Sequence, residues 1–202
     1  MDSPEINGPI LETFHRDLIF VNKFLGTFPT IERFLRQSDP PVRSVLDIGC
    51  GSGALLDYLR RRMNVEVIGV DRKPWPMAQI PVVTADAVTE RLPETDAAVT
   101  TLMAHHLTPD ENIALIRNVG RSSRRFLIHD LIRHPLPMAG FTVFLCPFIG
   151  KEAAVDGRQS IRRAFTPREL SELVQTALAG TNGTFTQDVS PFLSRQVMDI
   201  RF

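Results

Sequence analysis

Two cysteines, one tyrosine and one tryptophan among 202 residues leave this chain few side chains that advertise a function. Two thiols allow one disulfide at most, and Cys50 lies between glycines where a bridge would distort the turn. Both thiols are therefore expected free, as suits a reducing compartment and a cytoplasmic protein. Charge of one sign is missing too. Twenty-three basic residues balance twenty-three acidic ones, so nothing pulls the chain as a whole toward nucleic acid. The basic runs Arg60-Arg61-Arg62, Arg124-Arg125 and Arg162-Arg163 are short and flanked by acids. No apolar run reaches the ~20 residues needed to span a bilayer. The longest, Met138 to Gly150, is broken by Pro147. The start, Met1-Asp2-Ser3-Pro4-Glu5, lacks the apolar core of a signal peptide. Histidines are few, and none forms the His-x-x-x-His pair that grips a metal from one helix face, so no metal is expected.

What is present is concentrated in Val45-Leu46-Asp47-Ile48-Gly49-Cys50-Gly51-Ser52-Gly53-Ala54-Leu55-Leu56. An apolar strand runs into an acid, then into three alternating glycines, then into an apolar helix. Glycine lets a ligand approach the backbone closely, and the helix after the loop offers free N–H groups. Gly49, Gly51 and Ala54 also satisfy the looser dinucleotide fingerprint. Asp47, two residues before the first glycine, and the third glycine, Gly53, favour a different nucleoside. The pattern Asp-x-Gly-x-Gly-x-Gly resembles the first motif of class I S-adenosylmethionine-dependent methyltransferases.

Strands and helices alternate along the rest of the chain. Strands are expected at Ser44 to Ile48, Val65 to Val70, Val82 to Thr84, Asp96 to Thr101 and Arg125 to His129, with two more at Thr184 to Val189 and Gln196 to Phe202. Thr108-Pro109-Asp110-Glu111 and Thr166-Pro167-Arg168-Glu169 each read as a capping box with proline at the first helical position. Such alternation implies an α/β doubly wound, Rossmann-like sheet. The closing hairpin makes the last of seven strands antiparallel, as in the methyltransferase sheet. A single domain over 1–202 is expected, with N-terminal helices over 1–41 as a lid, a core over 42–202 and a substrate-side insertion over 135–165. Within the lid, one helix runs from Pro9 to Gly26 and a second follows Pro29.

In doubly wound sheets ligands bind at the carboxyl ends of the strands. The resemblance then assigns Asp71, followed by Arg72, to the ribose hydroxyls. It assigns Asp86 to the adenine amino group, with the backbone of Ala87 beside the ring. Thr101 and Leu102 line the methionine side, and Asp47 orients the loop or meets the donor's amino group. Cys50 serves as a small loop residue. After strand four, Ala104-His105-His106-Leu107 resembles the fourth motif of small-molecule methyltransferases, and His105 or His106 is a candidate general base. The apolar run Met138 to Ile149 walls a lipophilic pocket or rests on a membrane surface. Arg158, Arg162 and Arg163, in a returning segment, either grip an anionic group or face solvent.

The expected activity is methyl transfer from S-adenosylmethionine to a small lipophilic acceptor: a phenol, quinone, polyketide or acidic lipid, methylated at oxygen or carbon, by a monomer or homodimer. A nicotinamide-dependent reductase is the rival, although the only tyrosine, Tyr58, has no lysine four residues on. A cofactor-binding protein without turnover is the third reading. No Asn-Pro-Pro-Tyr-type motif for base methylation follows strand four.

Overall fold

The runs of β-branched and aliphatic residues become strands of one sheet, and the proline-led capping boxes start the helices that cover it. The structure, a computed structural model, describes residues 16–17, 19–22, 25–73 and 78–202. The strands are β1 (Ser44–Ile48), β2 (Glu66–Asp71), β3 (Val82–Thr84), β4 (Thr95–Thr101), β5 (Ser123–Leu131), β6 (Thr184–Val189) and β7 (Arg195–Arg201). Their order across the sheet is β3-β2-β1-β4-β5-β7-β6. All neighbours are parallel except at β7, which runs antiparallel to both β5 and β6.

Because side chains alternate across a strand, each strand feeds two cores. Leu46, Ala98 and Ile128 pack with Leu115, Ile116, Leu170 and Val174 on one face. The cover there comes from α3 (Pro109–Val119) and α6 (Pro167–Leu178). Val45, Val99 and Leu127 pack on the other face with Phe28, Ile31, Leu35, Leu55 and Leu59. Those belong to α1 (Thr27–Arg36) and α2 (Ala54–Met63). Both capping boxes form as expected: Thr108 accepts from the Glu111 N–H, and Thr166 accepts from the Glu169 N–H.

Three expectations need comment. The expected helix from Pro9 falls largely outside the described residues; 16, 17 and 19–22 are helical. The second helix begins at Thr27, so Pro29 lies inside its first turn rather than ahead of it, where proline's missing N–H has no intrahelical partner to lose. The third concerns the substrate-side insertion. The returning segment that holds Arg158, Arg162 and Arg163, left without a secondary structure by the sequence, belongs to the helix α5 (Lys151–Arg163). It follows α4 (Pro135–Gly140), a π turn over Phe141–Leu145 and a 3-10 turn over Cys146–Phe148. Gly157 sits in the middle of α5 because the Phe141 ring occupies its side-chain space. A Cβ there would stand 2.2 Å from Phe141 Cζ.

Candidate functional site

The site lies at the carboxyl ends of β1, β4 and β5. β1 delivers Asp47 to its end, then the chain turns through Gly49, Gly51 and Gly53 at φ of 73°, 51° and 74°. Side-chain-bearing residues rarely adopt these angles. The space is also closed to them: a Cβ on Gly49 would meet Met103 Cγ at 3.0 Å. The turn is pinned to β2 from both sides. Gly49 donates to the Val70 carbonyl at 2.8 Å, and Gly51 donates to Asp71 Oδ2 at 2.9 Å. Asp71 Oδ1 accepts from the Lys73 N–H. No side chain caps the N-terminus of α2, so its first-turn donors stay available to a ligand.

Cys50 does not face outward. Its sulfur occupies the space that a side chain at Gly69 would need, 2.5 Å from that Cβ position. Burial, with Asp47 and Asp71 nearby, pushes its thiol pKa up, so it stays protonated and unreactive.

Asp47 is 2% exposed, and its Oδ1 has no hydrogen-bond partner among the described residues. Burial, with Asp71 adding repulsion, pushes its pKa up to about 8. A buried carboxylate left unpaired is an acceptor held ready for a cation. His129, at the end of β5, is wholly buried, and neither ring nitrogen has a partner among the described residues. Burial, with Arg195 adding to it, pulls its pKa down to about 4, so it is neutral at ordinary pH.

β4 ends at Thr101, and Leu102 then takes a left-handed φ of 54°, held by its N–H to the His129 carbonyl at 3.0 Å. A non-glycine residue in this conformation costs about 1–3 kcal/mol and is common at functional sites. The chain next forms a 3-10 turn over Ala104–His106. His105 is anchored twice by Asp130, the residue after His129 on β5. Its backbone N–H donates to Asp130 Oδ2 at 2.9 Å, and its Nδ1 lies 2.7 Å from Asp130 Oδ1. An ionised Asp130 can only accept, so Nδ1 carries the proton and Nε2 is left with its lone pair. That Nε2 is buried without a partner among the described residues. His106 stacks against His105 at 4.2 Å between ring centroids. Burial, and then the neighbouring His105, lower its pKa below the usual imidazole value.

These ends open into one cavity of about 800 Å³. Asp47, Gly49, Cys50, Gly51, Thr101, Leu102, His105 and His106 line it together. Gly53, Asp71, Arg72, Asp86 and Ala87 do not; they lie beside the loop toward β2 and β3. Asp86 Oδ2 pairs with Arg72 at 2.9 Å, and its Oδ1 caps the Val88 N–H. Ala87 is buried, and its carbonyl accepts from Asn118. The far walls are Asp17, Val21, Asn22, Leu25 and Phe28 from the N-terminal helices, and Leu136 to Leu145 with Asp156, Ser160 and Ile161 from the segment after β5. Among the described residues no lysine or arginine lines the cavity. Arg158, Arg162 and Arg163 stand outside its wall, which removes the expected grip on an anionic acceptor. Arg158 reaches Cys146 Sγ instead, at 3.6 Å. Among the described residues no three His, Cys, Asp or Glu side chains converge as a metal site.

Two functional candidates escaped the sequence. Asp130 stands at the end of strand five, and nothing local signals its pairing with His105, which crosses twenty-five residues. Met103, packed on Gly49, carried no signal at all.

A family model described as a methyltransferase domain matches residues 20–137, more than half of the chain. The chain belongs to this family. Its methyltransferase domain is built on the Rossmann-like sheet described above. It is 30% identical over 118 residues to the indolepyruvate C-methyltransferase of Streptomyces griseus, a match over 48% of this chain and 36% of that protein. The match thus spans about a third of the length of that relative. Among solved structures, the plantazolicin methyltransferase BpumL, in complex with a monoazolic desmethylPZN analog and SAH, superposes with a TM-score of 0.73. It is 14% identical, over 95% of this chain and 90% of that one. A putative O-methyltransferase of Nostoc punctiforme gives 0.65 at 13% identity, over all of this chain and 64% of that one. At these identities the likeness is one of fold. No helix among the described residues is long and apolar enough to cross a membrane.

Proposed function

We propose that this methyltransferase acts on a hydroxyl of a small, neutral, lipophilic acceptor held in the 800 Å³ cavity, with His105 as the general base. The reading is carried by one observation: His105, a residue of the cavity lining, has its Nδ1 bound to Asp130 at 2.7 Å and its Nε2 left without a partner among the described residues. S-adenosylmethionine supplies a methyl carbon made electrophilic by its sulfonium. The residues present fit such a donor. The orphaned Asp47 carboxylate accepts an ammonium, and the side-chain-free loop from Gly49 to Gly53 admits a nucleoside. Asp71 keeps a second lone pair on each oxygen for ribose hydroxyls, and Asp86 with the Ala87 backbone serves the base. Thr101 and the strained Leu102 present backbone to the methionine portion.

His105 takes the acceptor's hydroxyl proton onto Nε2 as the oxygen gains the methyl group, and Asp130 steadies the imidazolium that results. Holding the reacting atoms in line is worth ~7–11 kcal/mol. The N-terminal helices and the Leu136 to Leu145 wall serve that end by excluding water. Asp17 and Asp156 in the lining disfavour anionic acceptors, acidic lipids among them. The Streptomyces relative supports a second reading, in which His105 removes a proton from a carbon next to a ketone and that carbon is methylated.

The test is a panel of neutral phenols and enolisable ketones assayed for methyl transfer, with His105→Ala and His106→Ala alongside. Donor affinity is measured by calorimetry as the control. Loss of His105 should slow transfer by about 10²–10⁴-fold with donor affinity kept. Transfer by His105→Ala at the wild-type rate refutes the base assignment.

A further inference from the structure

The cavity opens through a rim that is apolar and exposed. Leu136, Val143, Phe144 and Phe192 line it yet are 49%, 62%, 68% and 78% exposed. Phe148, in the turn that follows, and Val155, on α5, are exposed to a similar degree. Single exposed apolar residues are ordinary on a protein surface, but several large ones around one opening mark a contact. The rim does not collapse onto itself because its parts are fixed elsewhere. Leu145 is buried, Phe141 is locked against Gly157, and Asp17 takes the Gly150 N–H at 2.8 Å.

Charge narrows the choice of partner. The segment over 135–165 holds Lys151, Arg158, Arg162 and Arg163 against only Glu152 and Asp156. Along α5, residues 151, 155, 159 and 162 share one exposed face, which places Lys151 and Arg162 on either side of Val155. The side chains of Lys151, Arg162 and Arg163 make no hydrogen bond or ion pair among the described residues. Acids line the inside of the cavity, and the bases flank the apolar rim outside it. A helix face of apolar and basic residues lying at an interface is a surface for anionic lipid.

We infer that this rim docks on the surface of an anionic lipid bilayer, so that lipophilic acceptors pass from the membrane into the cavity without crossing water. This goes beyond the proposed hydroxyl chemistry and stands whichever atom is methylated.

The test is co-sedimentation of the full chain with large unilamellar vesicles of phosphatidylcholine alone, and of phosphatidylcholine mixed with phosphatidylglycerol. Binding should favour the mixed vesicles and weaken in high salt. Lys151→Gln with Arg162→Gln should lower affinity for the mixed vesicles about 25-fold, since each cation near the surface contributes about fivefold. Phe148→Ser with Val155→Ser should lower it about tenfold or more for either composition. All four positions lie outside the cavity wall, so donor affinity should be unchanged, which also shows that the variants fold. No sedimentation with mixed vesicles, or variants that bind like the wild type, overturns the inference. So does a solution dimer that Phe148→Ser with Val155→Ser splits, because a second copy would then cover the rim. The measurement involves no methyl transfer, so its failure is separate from a failure of the base assignment.

Discussion

Replacing Asp47 by asparagine should make the ligand-free protein more stable at alkaline pH. Asp47 is buried beside Asp71, and its pKa is pushed from the ordinary carboxylate value of 3.8 up to about 8. The folded protein therefore keeps a proton that the unfolded chain has released. This contribution is greatest below pH 4 and is lost as pH rises through the interval up to 8, at about 1.4 kcal/mol per unit. His129 acts in the opposite sense over a different window. Its folded pKa of about 4 lies below the ordinary 6.5, so its contribution is present above 6.5 and is lost as pH falls toward 4. The two overlap between pH 4 and 6.5 and nearly cancel. Between 6.5 and 8 Asp47 stands alone and should remove about 2 kcal/mol. For a domain of this length that is about 4–8 °C in Tm. The assay is thermal unfolding of wild type and Asp47→Asn without ligand at a series of pH values. The difference between the two curves isolates Asp47, because every other titrating group is shared. Asparagine resembles the protonated acid in shape, so the two proteins should converge below pH 4 and part steadily from there up to pH 8, the variant becoming the more stable. Parallel curves from pH 6.5 to 8 would refute the reasoning and mean that Asp47 is ionised and compensated in the folded protein.

Three further outcomes follow from particular contacts. Asp130→Asn should present an amide N–H to His105 Nδ1, force the proton onto Nε2 and cut transfer about as deeply as His105→Ala, with donor affinity by calorimetry unchanged; a rate near wild type would disconnect the pair from catalysis. Arg125 and Asp199 form a buried two-pronged ion pair at 2.7 and 2.8 Å between β5 and β7, and Asp199→Ala should cost about 3–5 kcal/mol in urea unfolding by stranding the guanidinium. Gly157→Ala should cost about 1–3 kcal/mol, because its Cβ meets the Phe141 ring, and Phe141→Leu in the same chain should recover part of that loss.

The parts of the fold that sequence reveals are those set by local rules. The alternation of Val45, Leu46 and Asp47 fixes which face each residue takes, and a threonine-proline start with glutamate at the third position fixes where α3 and α6 begin. The glycine loop was legible for the same reason, since the positive φ angles that it needs are nearly reserved for glycine. The insertion was not. α5 carries a central glycine and a mean polarity that read as loop, and nothing local offsets them. It is helical because Ala153, Ala154, Ser160 and Ile161 bury against the rest of the molecule, and because Gly157 makes room for an aromatic ring sixteen residues earlier. Tertiary packing overrides weak propensity there, and that cannot be seen from the segment alone.

The proposed base and its carboxylate partner show the same division more sharply. Adjacent histidines after β4 make two equal candidates on paper, because both imidazoles have the same intrinsic chemistry. The parallel register, which sets Thr101 beside His129, brings the next residue of β5 to the turn that follows β4. Asp130 there takes both the backbone N–H and the ring of His105, leaving His106 stacked on the outside. What separates the two histidines is therefore a sheet register, and a one-residue slip of β5 would turn Asp130 to the opposite face and put His129 in its place. A base chosen in this way cannot be moved to His106 by changing His106 alone. Activity lost in His105→Ala should not return when His106 is freed from its stacking partner, unless a carboxylate is supplied to hold it.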